Sequence, residues 1–344
     1  MSGRLPKVES MDPLTQGALG AALAQSASRP RETRLATLIG AAAGMLADAD
    51  VLIRSSSDPL LTLEYHRHFT HSLFFVPVGA LVATLLLWPF LRSQLPFGRI
   101  YLFALLGYSL SGVLDACTSY GTHLLWPLSD DRVAWNLIAI VDPLFTLALL
   151  AAIAIAMIKR MPHAAWVGLA FACAYLLLGW IQIQRTEALI RDLAAERGHE
   201  IERLLIKPTM ANQVLRRTIY EADGTFHVDA VRAGLSSYRT YRGGSTPRVV
   251  PERDLEALPR GSIAYLDSVR FDRFSDGFTQ WHPQLPDVLG DVRYSMSPTG
   301  LIPLWGVEID RDRPDAHVRY LFFRELSKKQ RKHFVDMLLG RDSE

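Results

Sequence analysis

The chain has 344 residues, 49% of them hydrophobic and 21% charged, with a formal net charge of +2. Of its 72 charged residues (37 basic, 35 acidic), 49 fall in residues 184–344 and 23 in residues 1–183, which argues against a purely cytosolic single domain. No basic block stands clear of compensating acids, so composition gives no case for nucleic-acid binding.

Residues 1–10 are polar and precede a second methionine, Met11; they read as a disordered tail outside the fold. Residues 11–183 read as a transmembrane helical domain and residues 184–344 as a soluble α+β domain. In the first domain, 71–91 and 163–183 carry no charge, and each is long enough to cross a hydrocarbon core of ~30 Å at ~1.5 Å per residue. Segments 35–53, 100–117 and 137–158 are also span candidates but carry acids: Asp48 and Asp50, Asp115, and Asp142. Segment 14–27 is short and rich in Ala and Gly, a composition that suits close helix packing in lipid. The expected fold class is therefore an all-α polytopic bundle of about five or six membrane helices, followed by a small domain with antiparallel strands.

Basic residues in the short connections set the orientation. Arg29, Arg31 and Arg34, then Arg92 and Arg99, then Lys159 and Arg160 occupy one set of loops, expected on the cytoplasmic side. The opposite loops hold only Arg54, Arg67 and Arg132. Six crossings then place residues 184–344 outside the cytoplasm. They also gather Gln16, Asp48, Asp50, His66, His71, Asp115 and Asp142 at the outer end of the bundle.

Beyond Gln184, residues 185–206 read as an amphipathic helix leaving the membrane. Alternating stretches at 216–222, 225–233, 262–271, 291–296 and 303–309 read as short strands. They are separated by turn signals at Asp223-Gly224, Gly243-Gly244 and Pro298-Thr299-Gly300, and a charged helix follows at 324–340. Cys117 and Cys173 both lie in apolar stretches and do not read as a disulfide staple.

An uncompensated acid near the centre of a membrane helix costs ~2.5–3.5 kcal/mol on insertion scales. The acidic spans contain no Lys or Arg, so compensation comes from protonation, water, a cation, or the nearby basic candidates Arg54, Arg67 and the histidines of 66–71. Acids together with His66 and His71 make a mixed N/O donor set suited to Zn²⁺, Mn²⁺ or Fe²⁺. Asp48 and Asp50 lie ~200° apart on an ideal helix, so both face one site only if the helix ends or distorts there. Ser111 and Asp115 share a helix face. His68 is expected to face solvent, and Asp142-Pro143 to break or cap a span.

The ordered elements Met11-Asp-Pro-Leu-Thr-Gln-Gly, Gly44-Met-Leu-Ala-Asp-Ala-Asp50, His66-Arg-His-Phe-Thr-His-Ser72 and Leu114-Asp115-Ala-Cys-Thr-Ser-Tyr-Gly121 continue into Leu125-Trp-Pro-Leu-Ser129 and Ile140-Val-Asp-Pro-Leu144. Over residues 11–150 this resembles the YdjM-like family of inner-membrane metal-dependent hydrolases. The resemblance implies metal-site residues at Asp48, Asp50, His66, His71 and Asp115; of these, Asp48, His66, His71 and Asp115 are read as the ligands and Asp50 as a general base or supporting group. Gln16 and Ser111, where the family pattern carries His, are left to orient water or substrate. The implied activity is hydrolysis of an ester or phosphoester, lipid-linked ones included, at the outer membrane face, with membrane lipid as partner. The alternative is a catalytically degenerate membrane protein with a structural metal site and a partner-binding outer domain. A transporter ranks third, because polar residues gather at one end rather than through the depth of the bundle.

Overall fold

The computed structural model describes residues 13–55, 57–234, 237–325 and 327–341; the 1–10 tail lies outside them. The N-terminal region is helical: α1 (Pro13–Ser26), α2 (Thr33–Leu46), α3 (Leu61–Tyr65), α4 (Val76–Leu91), α5 (Phe97–Ser109), α6 (Ser111–Ala116), α7 (Pro143–Lys159) and α8 (His163–Glu196). Among the described residues, four helical stretches are long and apolar enough to cross a membrane: 33–52, 73–91, 97–116 and 163–196. Two bundle helices, α7 with 17 residues and α1 with 14, are shorter.

The short α1 is the hub. It packs against α2, α5, α7 and α8, and its glycines explain how closely. A Cβ on Gly20 would sit 2.5 Å from the carbonyl oxygen of Gly40 and 2.7 Å from that of Gly107, so three helix backbones meet where no side chain fits. On the outside, α4 turns Leu81, Leu85, Leu86 and Phe90 outward, and α7 turns out Leu144, Leu147 and Ile158, as lipid-facing surfaces do. Asp142 caps α7, accepting from Phe145 N (3.2 Å) and from the Tyr175 hydroxyl (2.8 Å). It therefore serves the helix start and takes no part in the acidic cluster described below.

The C-terminal region holds two four-stranded antiparallel sheets. The first runs β1 (Arg203–Pro208), β2 (Leu215–Ala222), β3 (Thr225–Ala233) and β4 (Tyr238–Pro247). After α9 (Pro251–Asp254) and α10 (Ile263–Phe274) comes the second: β5 (Thr279–His282), β6 (Leu285–Asp291), β7 (Trp305–Glu308) and β8 (Arg319–Phe322). The last helix, α11 (Lys328–Leu339), opens with a Ser327/Gln330 capping box and packs Met337 against Leu215, Ala230 and Tyr241 of the first sheet.

Several local expectations are corrected. Helix α8 runs unbroken to Glu196, and Gly198 at φ +73° turns the chain toward β1, so the helix expected to 206 stops ten residues short. Residues 262–271 form α10 rather than a strand. Ser262 caps the helix, and the buried set Ala264, Asp267, Ser268 and Phe271 follows helical spacing. Only Asp291 of 291–296 belongs to a strand. Asp223-Gly224, both left-handed, does make the β2–β3 hairpin turn. Gly243-Gly244 instead lies inside β4, where a Cβ on Gly243 would meet the Val228 carbonyl at 2.2 Å.

The C-terminal region is seated on the loops at one end of the bundle. Its largest apolar cluster among the described residues joins Tyr265, Phe271, Leu289 and Trp305 to Leu63 of α3, to Leu60 just before that helix, and to Tyr120. Buried Arg216 on β2 donates to the carbonyls of Asn136 (3.1 Å) and Gly179 (3.0 Å), stapling the first sheet to the bundle. These contacts hold the 61–72 and 118–142 loops, which carry the polar residues.

Candidate metal centre

Helix α2 ends at Leu46 and continues as a tighter 3₁₀ turn over Ala47–Leu52. This is the distortion needed for Asp48 and Asp50 to reach one place, and both are buried. Opposite them, the 66–72 loop leaves α3 in an extended conformation at His66 and then turns left-handed at Arg67 (φ +60°). That conformation is strained for a long side chain. It lets Arg67 N donate to Asp50 Oδ2 at 2.8 Å while the guanidinium reaches Asp115 and Thr118. The loop lies hard against α6: a Cβ on Gly112 would be 1.9 Å from the His71 carbonyl oxygen, so only glycine fits there.

His71 is at the centre. Its Nε2 lies 3.0 Å from Asp115 Oδ2 and 3.4 Å from Asp48 Oδ1, and its Nδ1 lies 3.3 Å from Asp50 Oδ2. Asp48, His71 and Asp115 each offer one ligand atom within 4.8 Å of the others, all three buried. Several atoms here are buried without a hydrogen-bond partner among the described residues: both Asp48 oxygens, His71 Nε2, Asp115 Oδ2 and Arg67 Nε and Nη2. Arg67 Nε is 3.1 Å from Asp115 Oδ2, close enough to pair by charge but off the hydrogen-bond axis.

The remaining residues named from the sequence fall around this group in different ways. His66 stays outside the close trio; its Nδ1 meets Asp50 Oδ1 at 2.9 Å, leaving Nε2 buried without a partner among the described residues. Asp50 is saturated, since Arg67 N and the Thr70 hydroxyl (3.0 Å) both donate to its other oxygen. Gln16 Nε2 donates to Asp115 Oδ1 at 2.8 Å, and Ser111 Oγ donates to the Gly44 carbonyl at 3.1 Å. Of the two nearby cations weighed from the sequence, Arg54 is exposed and turned to the Val51 carbonyl. Arg67 alone of the pair joins the acids.

His68, expected in solvent, is half-buried with its ring 4.5 Å from that of His123. Burial lowers the pKa of His68, and burial together with Arg132 and His68 lowers that of His123 to about 4. These two and Asp130 form a second, more open His/Asp group, and Asp58, Asp267 and His317 form a third. Sequence reading passed over Thr70, Thr118 and Tyr120. The last packs its ring 5.4 Å from that of His66, under the Arg67 guanidinium. Their signal was position alone, within or just beyond the two densest motifs.

The donor chemistry fits a divalent cation. Three buried carboxylates face one permanently charged side chain, Arg67, and the orphaned oxygens and nitrogens converge. Among known proteins, the chain is 31% identical over 182 residues to the uncharacterized protein YfhP of Bacillus subtilis (strain 168), covering 51% of this chain and 52% of YfhP. The chain thus spans about half the length of that curated relative. No solved structure matches. Residues 11–186, half of the chain and all of the residues of the buried acidic and histidine cluster, match the family described as YdjM inner membrane protein. The chain belongs to that family.

Proposed function

We propose that the protein is a membrane-bound, metal-dependent hydrolase of an ester or phosphoester, working at the outer face of the inner membrane, with residues 184–344 outside the cytoplasm. The observation that carries this reading is the buried Asp48–His71–Asp115 trio with its unpartnered ligand atoms. These three residues would hold the ion. Zn²⁺ and Mn²⁺ suit one imidazole and two carboxylates. A divalent ion there supplies an acidified water and polarises the bond to be broken.

The chain's own groups divide the rest of the work. Asp50, with both oxygens engaged, holds the His66 ring through Nδ1 and leaves Nε2 to take a proton. His66, which the sequence suggested as a ligand, is thus read as the proton-handling residue, and Asp50 as its positioning residue. The Arg67 guanidinium faces the same volume and suits an anionic oxygen developing in the transition state. Gln16 fixes the Asp115 carboxylate.

A second reading, a structural metal site without catalysis, is favoured by the commitment of the Ser111 hydroxyl to Gly44, which removes it from water or substrate orientation. Purified protein assayed on aryl ester and phosphoester panels separates the two. Hydrolysis that chelator abolishes and Zn²⁺ or Mn²⁺ restores supports the hydrolase; bound metal with no hydrolysis of either class supports the second reading. A C-terminal alkaline phosphatase fusion should be active. A dark phosphatase fusion with a bright GFP fusion would reverse the orientation.

A further inference from the structure

A cavity of about 330 Å³ lies where the soluble region meets the outer end of the bundle, and we propose that it binds the phosphate headgroup of an anionic membrane lipid. Arg217 and Arg293 line it along with Lys207, and no Asp or Glu does among the described residues. Arg293 has its counter-charge in Asp291, 2.8 Å away. Arg217 does not. Only 4% exposed, it donates to the carbonyls of Val292 (2.8 Å), Pro298 (2.8 Å) and Ser297 (3.2 Å), and its Nε has no hydrogen-bond partner among the described residues. Carbonyl dipoles orient a guanidinium without neutralising it, and a buried cation held this way favours an anion beside it. Lys207 lays its ammonium on the face of the Tyr294 ring, 3.0 Å from the centroid, on the same wall.

The surroundings select a lipid over a free anion. Met210 and Val141 form an apolar, exposed rim, tied together by the hydrogen bond from Ala211 N to the Val141 carbonyl (3.2 Å). From Val141 the exposed side chains of Leu144 and Leu147 continue at helical spacing down the flank of α7, a path for an acyl chain into the bilayer. A headgroup in the cavity would thus keep its chain in hydrocarbon.

The cavity also borders the candidate metal centre. Its wall includes Ser119, whose carbonyl accepts from the Tyr294 hydroxyl at 2.6 Å, and the next residue, Tyr120, packs on His66 and Arg67. That the bound lipid phosphate belongs to the substrate rests on the hydrolase reading; that it binds does not.

The test uses full-length protein in a neutral detergent with chelator present, and native mass spectrometry with three probes: dioctanoyl phosphatidic acid, dioctanoyl phosphatidylcholine and inorganic phosphate. One saturable equivalent of phosphatidic acid should bind, with phosphatidylcholine weaker by about tenfold or more, because its choline cation offsets the phosphate charge beside Arg217 and Arg293. Inorganic phosphate should not compete. Arg217→Gln should weaken phosphatidic acid binding by a similar factor. If that variant fails to fold, Met210→Glu, which places a like charge on an exposed rim position, should do the same. Equal binding of the two lipids, or unchanged phosphatidic acid affinity in Met210→Glu, overturns the proposal. So does competition by inorganic phosphate at equal affinity, which would make the site one for free phosphate. Asp115→Asn should keep lipid binding while losing hydrolysis, so failure of the lipid site and failure of the hydrolase reading are separate results.

Discussion

Two clusters in this molecule are built from the same side chains and do opposite things with them. Around Arg270, Asp58, Glu64, Asp267 and His317 meet where α10 crosses the α3 loop. Arg270 donates to both oxygens of Glu64 (2.7 and 2.8 Å), to both of Asp58 (3.3 and 2.9 Å) and to Asp267 (2.9 Å). His317 and Val318 N take the other oxygen of Asp267. Every carboxylate oxygen there is used, at a partly exposed seam. Around His71 the acids are fully buried, and five of the ligand-type atoms have no hydrogen bond among the described residues: both Asp48 oxygens, Asp115 Oδ2, His71 Nε2 and His66 Nε2. Carboxylate and imidazole content does not separate a fastening from a binding site. Unspent, buried, convergent lone pairs do.

The contrast breaks most easily at the ligands. Asp115→Ala or His71→Ala should lower metal affinity by at least about a hundredfold and abolish chelator-sensitive hydrolysis, while Arg270→Ala leaves both unchanged; metal titration of the purified variants checks this. Next in size is the fastening itself. Arg270→Ala strands three carboxylates, and with the seam partly open to water the loss should be about 1–3 kcal/mol of stability, read from thermal melts. A silent Arg270→Ala would mean that the ion network merely decorates the apolar seam formed by Leu60, Leu63 and Phe271.

Smaller still, Ser111→Ala removes a buried helix-to-helix hydrogen bond and should cost about 1 kcal/mol, with metal affinity shifted less than about tenfold. A larger change in affinity would return Ser111 to the site. The effect at His123 is confined to acid and absent at neutral pH. The imidazole's pKa of about 4 lies below the ordinary 6.5, so the unfolded chain takes the proton first and stability falls as pH drops through that interval. His123→Gln should flatten the acid side of the melting profile between pH 6.5 and 4 and leave the profile above pH 7 unchanged.

Much of this was legible in the chain. Charge asymmetry separates the bundle from the C-terminal region, loop motifs bring the acids to one end, and the two-residue spacing of Asp48 and Asp50 asks for an end or distortion of the helix, which the 3₁₀ turn supplies. The rest depends on contacts between distant segments. Residues 263, 265, 269 and 271 are apolar and alternate like a strand, yet the Ser262 cap and the burial of Asp267 by Arg270 and His317 make a helix. No local pattern announces a pairing of Arg270 with Glu64 across 206 residues. The left-handed turn at Arg67 is likewise invisible, because nothing in a run of histidines around an arginine signals positive φ; the acids of two other helices impose it. The division between ligand and positioning roles for His66 and Asp50 also needed coordinates, since both carry the right chemistry for either.

The account stands most directly on whether the buried trio takes an ion. Full-length protein, stripped with chelator and titrated with Zn²⁺ and Mn²⁺ alongside Asp115→Ala and Arg270→Ala, gives the answer in one experiment. The account predicts a tight metal equivalent in wild type and Arg270→Ala that disappears in Asp115→Ala. Wild type that binds no ion, or Asp115→Ala that binds as tightly as wild type, would contradict it.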